Sequence, residues 1–282
     1  MVTTAQRRSV VTQLTATFPV SARRACRVVG LAGSSWHYRA RRPARSELQA
    51  RLAHLAGERP RWGYKRLHVL LRREGHHCNH KLVYRLYREA GLSVRRRRRK
   101  RVAFPRQPLA PPAGPNERWS MDFVTDALAD GRRFRSLTIV DDFTRECPAI
   151  EVDTSLTGAR IIRVLERLAA RRGLPHGIVC DNGPEFAGQT LDVWAHQRGL
   201  KLLFIAPGKP VQNAYVESFN GRLRDECLNE HWFTTLADAR ATIERWRQDY
   251  NAVRPHSSLD DRTPTAFADL WRSAVFTRGV TV

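Results

Sequence analysis

Seven consecutive cations (Arg95, Arg96, Arg97, Arg98, Arg99, Lys100 and Arg101) are followed after two residues by FPRQPLAPPAGPNE, residues 104–117, with five prolines. Proline fixes φ and lacks a backbone donor, so such a stretch builds neither a helix nor a central strand. Adjacent like charges repel one another and resist burial in a core. The chain therefore has to fold separately on either side, and we place an extended linker at residues 102–116.

The two sides differ in charge. Residues 1–115 hold 27 Lys and Arg against 4 Asp and Glu, whereas residues 116–282 hold 22 against 23. The first part thus carries +23 and the second −1, so the whole of the net +22 lies in the first. So one-sided a polycation points to a polyanionic partner, and double-stranded DNA is the usual one. No apolar run approaches the roughly 18 residues that span a bilayer, so no membrane partner is expected. The N-terminus, MVTTAQRRSV, has no apolar signal segment. Five dispersed cysteines with no C-x-x-C pair argue against a disulfide framework and for a reducing cytoplasm. The localisation expected is cytoplasmic, and nucleoid-associated through DNA.

Before the linker, the sequence predicts two short helical units, residues 1–45 and 46–101. In the first, a helix ends near Gly30 and Ser34 is placed to cap the next, which carries Trp36 and Tyr38. In the second, Leu67, Leu70 and Leu71 recur at helical spacing, Gly75 makes a turn, and Asn79 caps a helix carrying Val83, Leu86 and Tyr87 that stops at Gly91. Helix, turn and helix among arginines suit a DNA-binding unit, with Lys65, Arg66, Lys81 and Arg85 as candidate contacts together with the Arg95–Arg101 run. The spacing of His76, His77, Cys78 and His80 fits no tetrahedral zinc pattern.

After the linker, the period changes. RWSMDFV sets Trp119, Met121 and Phe123 on one face and Ser120, Asp122 and Val124 on the other. FRSLTIVDDF and PAIEVD follow as further strands of a meander. Then come a helix (GARIIRVLERLAARRG), a strand (GIVCDN), a helix (TLDVWAHQRG), a strand (KLLFIAP) and two more helices. The fold class expected is α/β, a mixed sheet with helices on its faces, over residues 117–275.

Three carboxylates stand out. Asp122 lies between Met121 and Phe123 in an apolar strand, where a lone charge is unfavourable. Asp181 ends the strand GIVC and opens the loop DNGPEF, which reads either as a turn or as a ligand site at a strand end. Glu217 lies off the apolar stripe Tyr215, Phe219 and Leu223, on one face with Asn220 and Arg224. Asp141, Asp142 and Glu185 are competing acids, read as turn, cap or loop residues. Lys209, Gln212 and Asn213 precede the Glu217 helix and read equally as a capped loop or as a phosphate site at a helix N-terminus. We take Lys209, Asn213 and Arg224 as DNA contacts near the carboxylates.

W-S-M-D-F-V, D-N-G-P-E-F and N-A-Y-V-E-S-F-N-G-R-L-R-D-E-C together resemble the catalytic core of retroviral-type integrases and bacterial insertion-sequence transposases. Thirty-five residues separate Asp181 from Glu217, the interval characteristic of that family. Arg224 matches the family's basic position on the helix. Y-N-x-x-R-P-H-S-S-L (250–259), T-P-x-x-F (263–267), G-Y-K-R-L and N-H-K-L-V-Y-R-L-Y-R-E-A-G-L extend the likeness to residues 20–270. It is nearest to second-frame proteins of the group named after insertion sequence three. The resemblance implies a ribonuclease-H-like five-stranded mixed sheet, with Asp122, Asp181 and Glu217 holding two Mg²⁺ ions (or Mn²⁺). It implies cleavage of the element's terminal inverted repeats and attack of the freed 3′-hydroxyl on target DNA. It also implies a homo-oligomer on DNA, and an upstream-frame product as fusion partner. A nuclease that cuts without joining and an inactive DNA-binding regulator are the alternatives.

Overall fold

The structure, a computed structural model, describes residues 3–38, 46–94, 110–205 and 213–279. The linker at 102–109, the Arg95–Arg101 run, Lys209 and Gln212 lie outside the described residues. The chain divides into two compact units, residues 1–50 and 51–282.

In the first unit, α1 (Thr4–Thr17), α2 (Ala22–Val29) and α3 (Gly33–His37) close on Val11, Ala25, Cys26 and Leu31. Gly30 ends α2 at φ +66°, a conformation only glycine adopts without strain. Ser34 does not cap α3, as the sequence reading had it. The helix begins one residue earlier, at Gly33, so Ser34 lies inside it and the capping position falls to Ala32. α1 was not anticipated, because its only fully buried side chain is Val11 and no apolar stripe announces it. Its signature was the capping box Thr3-x-x-Gln6, in which each side chain bonds the other's backbone N–H.

The second unit opens with α4 (Ser46–Glu58, which begins in the first), α5 (Tyr64–Arg73) and α6 (His80–Glu89). α5 buries Leu67, Leu70 and Leu71, and α6 buries Val83, Leu86 and Tyr87, as the periodicity predicts. Gly75 and Gly91 both take positive φ, and the Asn79 side chain accepts from Lys81 N at 2.8 Å. Lys65, Lys81 and Arg85 are exposed.

Five strands follow in a mixed sheet: β1 (Arg118–Ala127), β2 (Arg133–Asp141), β3 (Ala149–Asp153), β4 (Gly177–Cys180) and β5 (Lys201–Phe204). Their order across the sheet is β3-β2-β1-β4-β5. The β1–β2 and β2–β3 pairs are antiparallel, and β1–β4 and β4–β5 are parallel. One face packs Trp119, Met121 and Phe123 against α7 (Gly158–Arg172) and α8 (Gln189–Gln197). The other packs Val124, Phe134 and Val140 against α9 (Ala214–Glu226) and α10 (Leu236–Ala252). The strand alternation read in the sequence therefore sorts β1 correctly, and puts Asp122 on the face that meets α9. The last helix, α11 (Pro264–Gly279), starts with Pro264 at its first position, and Thr263 Oγ1 accepts from Ala266 N at 3.1 Å. Among the described residues no helix is long and apolar enough to cross a membrane.

Candidate active site

The register of the sheet gathers the first two acids. In the parallel β1–β4 pair, Ser120 lies opposite Val179. Asp122 lies two residues further along β1, and Asp181 directly follows the last residue of β4, near enough for its charge to act on Asp122. Asp181 leaves the strand into a turn, its Oδ1 accepting Gly183 N at 3.0 Å. A Cβ on Gly183 would lie 2.9 Å from that oxygen, so only glycine fits without displacing the carboxylate. Asn182 Nδ2 bonds Ile205 O at 2.9 Å and ties the loop to the end of β5.

Glu217 lies in the first turn of α9, on the side of the sheet that Asp122 faces. The buried stripe of α9 is Val216, Phe219 and Leu223. Tyr215, which the sequence reading had in that stripe, is instead half-buried with Arg145 stacked on its ring, because α9 turns its Val216 edge into the core. Glu217, Asn220 and Arg224 share a face as expected. Arg224 is exposed and donates Nη2 to Thr125 O at 3.0 Å, bracing α9 on β1.

Asp122 is held from three directions. Its Oδ1 accepts Phe123 N at 2.7 Å, and its Oδ2 accepts Asn220 Nδ2 at 2.8 Å. Thr138, its partner across β1–β2, donates Oγ1 to Asn220 Oδ1 at 2.8 Å and lies 3.1 Å from Asp122 O. Burial, reinforced by the charges of Asp181 and Glu217, pushes the Asp122 carboxyl up to about 6. Asp122 therefore feels the charge of both other acids. Even so, among the described residues no three His, Cys, Asp or Glu side chains are grouped closely enough to hold a metal ion.

Asn213 is buried rather than turned outward, because its amide donates to Met121 O at 3.4 Å and anchors the start of α9 to β1. Arg66 also turns inward, pairing with Glu226 at 2.9 Å. The competing acids have other partners. Asp141 accepts from the backbone of Asn116, Phe143 and Thr144, and Asp142 pairs with Arg118 at 2.6 Å and accepts from Ser120 Oγ at 2.6 Å. Both sit where β1 begins, away from Asp181. Glu185 is paired with Arg135. The sequence reading missed Thr138, which only the strand register brings to Asn220.

Models described as "Integrase core domain" match residues 112–210 and 198–264, and one described as "HTH-like domain" matches 44–101. The chain is 57% identical over 251 residues to the 31.7 kDa protein of insertion element IS407 from Burkholderia multivorans, covering 88% of this chain and 91% of the relative. The chain belongs to the integrase-core transposases of bacterial insertion sequences. Within them it is of the insertion-sequence-three group: the transposase InsF of insertion sequence IS3A from Escherichia coli is 24% identical, over 86% of this chain and 92% of its own. A simian T-cell lymphotropic virus intasome chain shares the fold at a TM-score of 0.51 and 18% identity, covering 77% of this chain and 74% of its own. This transposase is thus an enzyme of the DDE transposase and integrase type, a ribonuclease-H-like core preceded by an HTH-like domain.

Proposed function

We propose that this transposase cuts the ends of its element and joins the freed 3′-hydroxyl to a target phosphodiester, with Asp122, Asp181 and Glu217 as the catalytic metal ligands. The observation that carries the reading is the half-buried Asp122 carboxyl, raised by burial and by the charges of Asp181 and Glu217 and held in place by Asn220. The donor set is all carboxylate oxygen, which suits Mg²⁺ or Mn²⁺, two per site. Mutual repulsion is a physical reason for the three acids to stay apart without a cation, so the residues fit the group. When bound, the ions supply charge neutralisation at the scissile phosphate and activation of the attacking oxygen.

The chain's own residues contribute position. Asp122 and Asp181 ride on adjacent strands of a packed sheet, and Glu217 rides on a helix braced by Asn213 and Arg224. Asn220, itself held by Thr138, fixes the Asp122 rotamer. Lys209, Arg224, Lys65, Lys81, Arg85 and the Arg95–Arg101 run supply backbone contacts to the element ends and target. Pairing of two ends calls for more than one copy, and the upstream-frame product completes the machinery as fusion partner, in keeping with the family.

Amide substitution tests the assignment. D122N, D181N and E217Q each keep side-chain shape and lose the charge a cation needs. Each is expected to reduce Mg²⁺-dependent cleavage of an end-bearing duplex by at least a thousandfold while leaving its DNA affinity within about threefold. Near-normal cleavage by any one variant removes that residue from the set.

A further inference from the structure

Helix α9 presents two polar flanks. One turns Glu217 and Asn220 toward β1. The other carries Tyr215, Ser218, Arg222 and Glu226, which recur at i, i+3, i+7 and i+11. Against this second flank lie Arg66 of α5, Arg145 of the β2–β3 turn and Arg254 after α10.

The charges here do not balance. Glu226 accepts from Arg254 at 2.6 and 2.8 Å and from Arg66 at 2.9 Å, and Asp142 is taken by Arg118. Five guanidinium groups thus face two carboxylates. Arg145 and Arg222 make no ion pair among the described residues. Arg222, half-buried, donates Nη1 to Ser218 O and Oγ at 2.8 and 2.7 Å. Arg145 donates to Asp142 O, and its guanidinium carbon sits 4.0 Å from the Tyr215 ring centroid. Its backbone is left-handed at φ +64°, a conformation an arginine rarely adopts. Behind them His256 is only 5% exposed, and its Nε2 has no hydrogen-bond partner among the described residues. Burial and then Arg254 push that imidazole down to about 2, so it adds no charge, and burial likewise holds Arg222 below its ordinary value. A half-buried pair of guanidiniums that shares Asp142 and Glu226 with three other arginines is unfavourable in isolation and favourable once an anion arrives.

We propose that Arg145 and Arg222 form a seat for a phosphate of the DNA backbone, on the flank of α9 away from the carboxylates. The inference rests on the DNA-processing reading above and adds a site to it. The planar fork of arginine matches phosphate oxygens, and stacking on Tyr215 holds the Arg145 fork in one orientation. Arg222 lies about 7.5 Å along the helix axis from Glu217 and around its other side. The seat therefore grips a phosphate other than the one that reacts.

The test uses the full chain in EDTA, where no cleavage occurs, with a fluorescent duplex carrying the element's terminal repeat titrated at several salt concentrations. Each lost phosphate contact reduces the slope of log affinity against log salt by about 0.9. R145Q and R222Q are expected to lower it by about one each, and the double variant by about two. In the DNA-free protein, inorganic phosphate is expected to raise the Tm of the wild type more than chloride of equal ionic strength, and not that of the double variant. An unchanged salt slope together with a lowered Tm in the variants shows the two arginines to be structural and overturns the seat alone. Absence of DNA binding by the wild type overturns the seat and the DNA-processing reading together. Loss of cleavage on triad substitution bears on neither arm, because no divalent ion is present.

Discussion

Within the proposed carboxylate set Asp122 lies in the sheet, and its titration is measurable. Its carboxyl is pushed from an ordinary 3.8 up to about 6, by burial first and by Asp181 and Glu217 after it. The folded chain therefore takes up this proton more readily than the unfolded chain. Stability of the metal-free protein falls as pH rises from about 4 to about 6 and stays low above that range. D122N removes this dependence. We expect the difference in unfolding free energy between D122N and wild type, measured in urea with chelator, to move in favour of D122N from pH 4 to pH 7, by at most about 3 kcal/mol before solvent screening is discounted. A difference independent of pH would mean that Asp122 titrates normally. The place of Asp122 in β1 was legible in the sequence, because strand alternation set a carboxylate among apolar neighbours. Glu217 enters the proposed set only through its interval from Asp181, since by itself it resembles any exposed helix acid. Thr138 was not legible, because its bond to Asn220 spans 82 residues and exists only once β2 pairs with β1 in register.

Among the elements, the contact of α5 with α9 is the least expected. The sequence reading gave Arg66 to DNA, yet its guanidinium meets Glu226, as do Trp62 Nε1 at 3.3 Å and Arg254. Burial favours the neutral acid, but Arg254 and Arg66 outweigh it and hold Glu226 below its ordinary value. Arg254 is 2% exposed, so removing its partner strands a buried charge. We expect E226Q to lose about 3–5 kcal/mol in urea unfolding at pH 7. A loss below about 1 kcal/mol would show that water or another acid replaces Glu226. No local pattern announces this node, since it joins residues 160 and 28 apart in sequence. By contrast α5, α6 and all five strands were readable from periodicity and glycine turns, whereas α1, α4 and α11 were not picked out. α1 carries too few buried side chains, and the cues for α11 are its Thr263 cap and Pro264 rather than an apolar stripe.

At the scale of the whole molecule, charge divides the chain at the linker but packing divides it after Ala50. Arg59 pairs with Asp249, Arg61 with Glu230, and Arg73 donates to the carbonyls of Val253 and Asp261. The basic HTH-like helices thus belong structurally with the core they precede. Removing residues 1–50 is expected to leave a cooperatively folding protein with a Tm within a few degrees of the full chain. Removing residues 1–101 should lower Tm by about 10 °C or more, because Glu226, Asp249 and Glu230 lose their partners. Equal Tm values for the two truncations, measured by calorimetry, would show that those ion pairs contribute nothing to the fold.

If one carboxylate set both cuts and joins DNA, the junctions in the reaction products record it, and sequencing reads them. Purified full-length protein, with the upstream-frame product fused where needed, is incubated with DNA bearing both element ends and with Mg²⁺. Element 3′ ends covalently joined to new phosphodiesters are expected, with no junctions in EDTA and none from D181N under the same conditions. Ends that are nicked but never joined by the fused protein, or junctions that persist in D181N, would contradict a single carboxylate set for both steps.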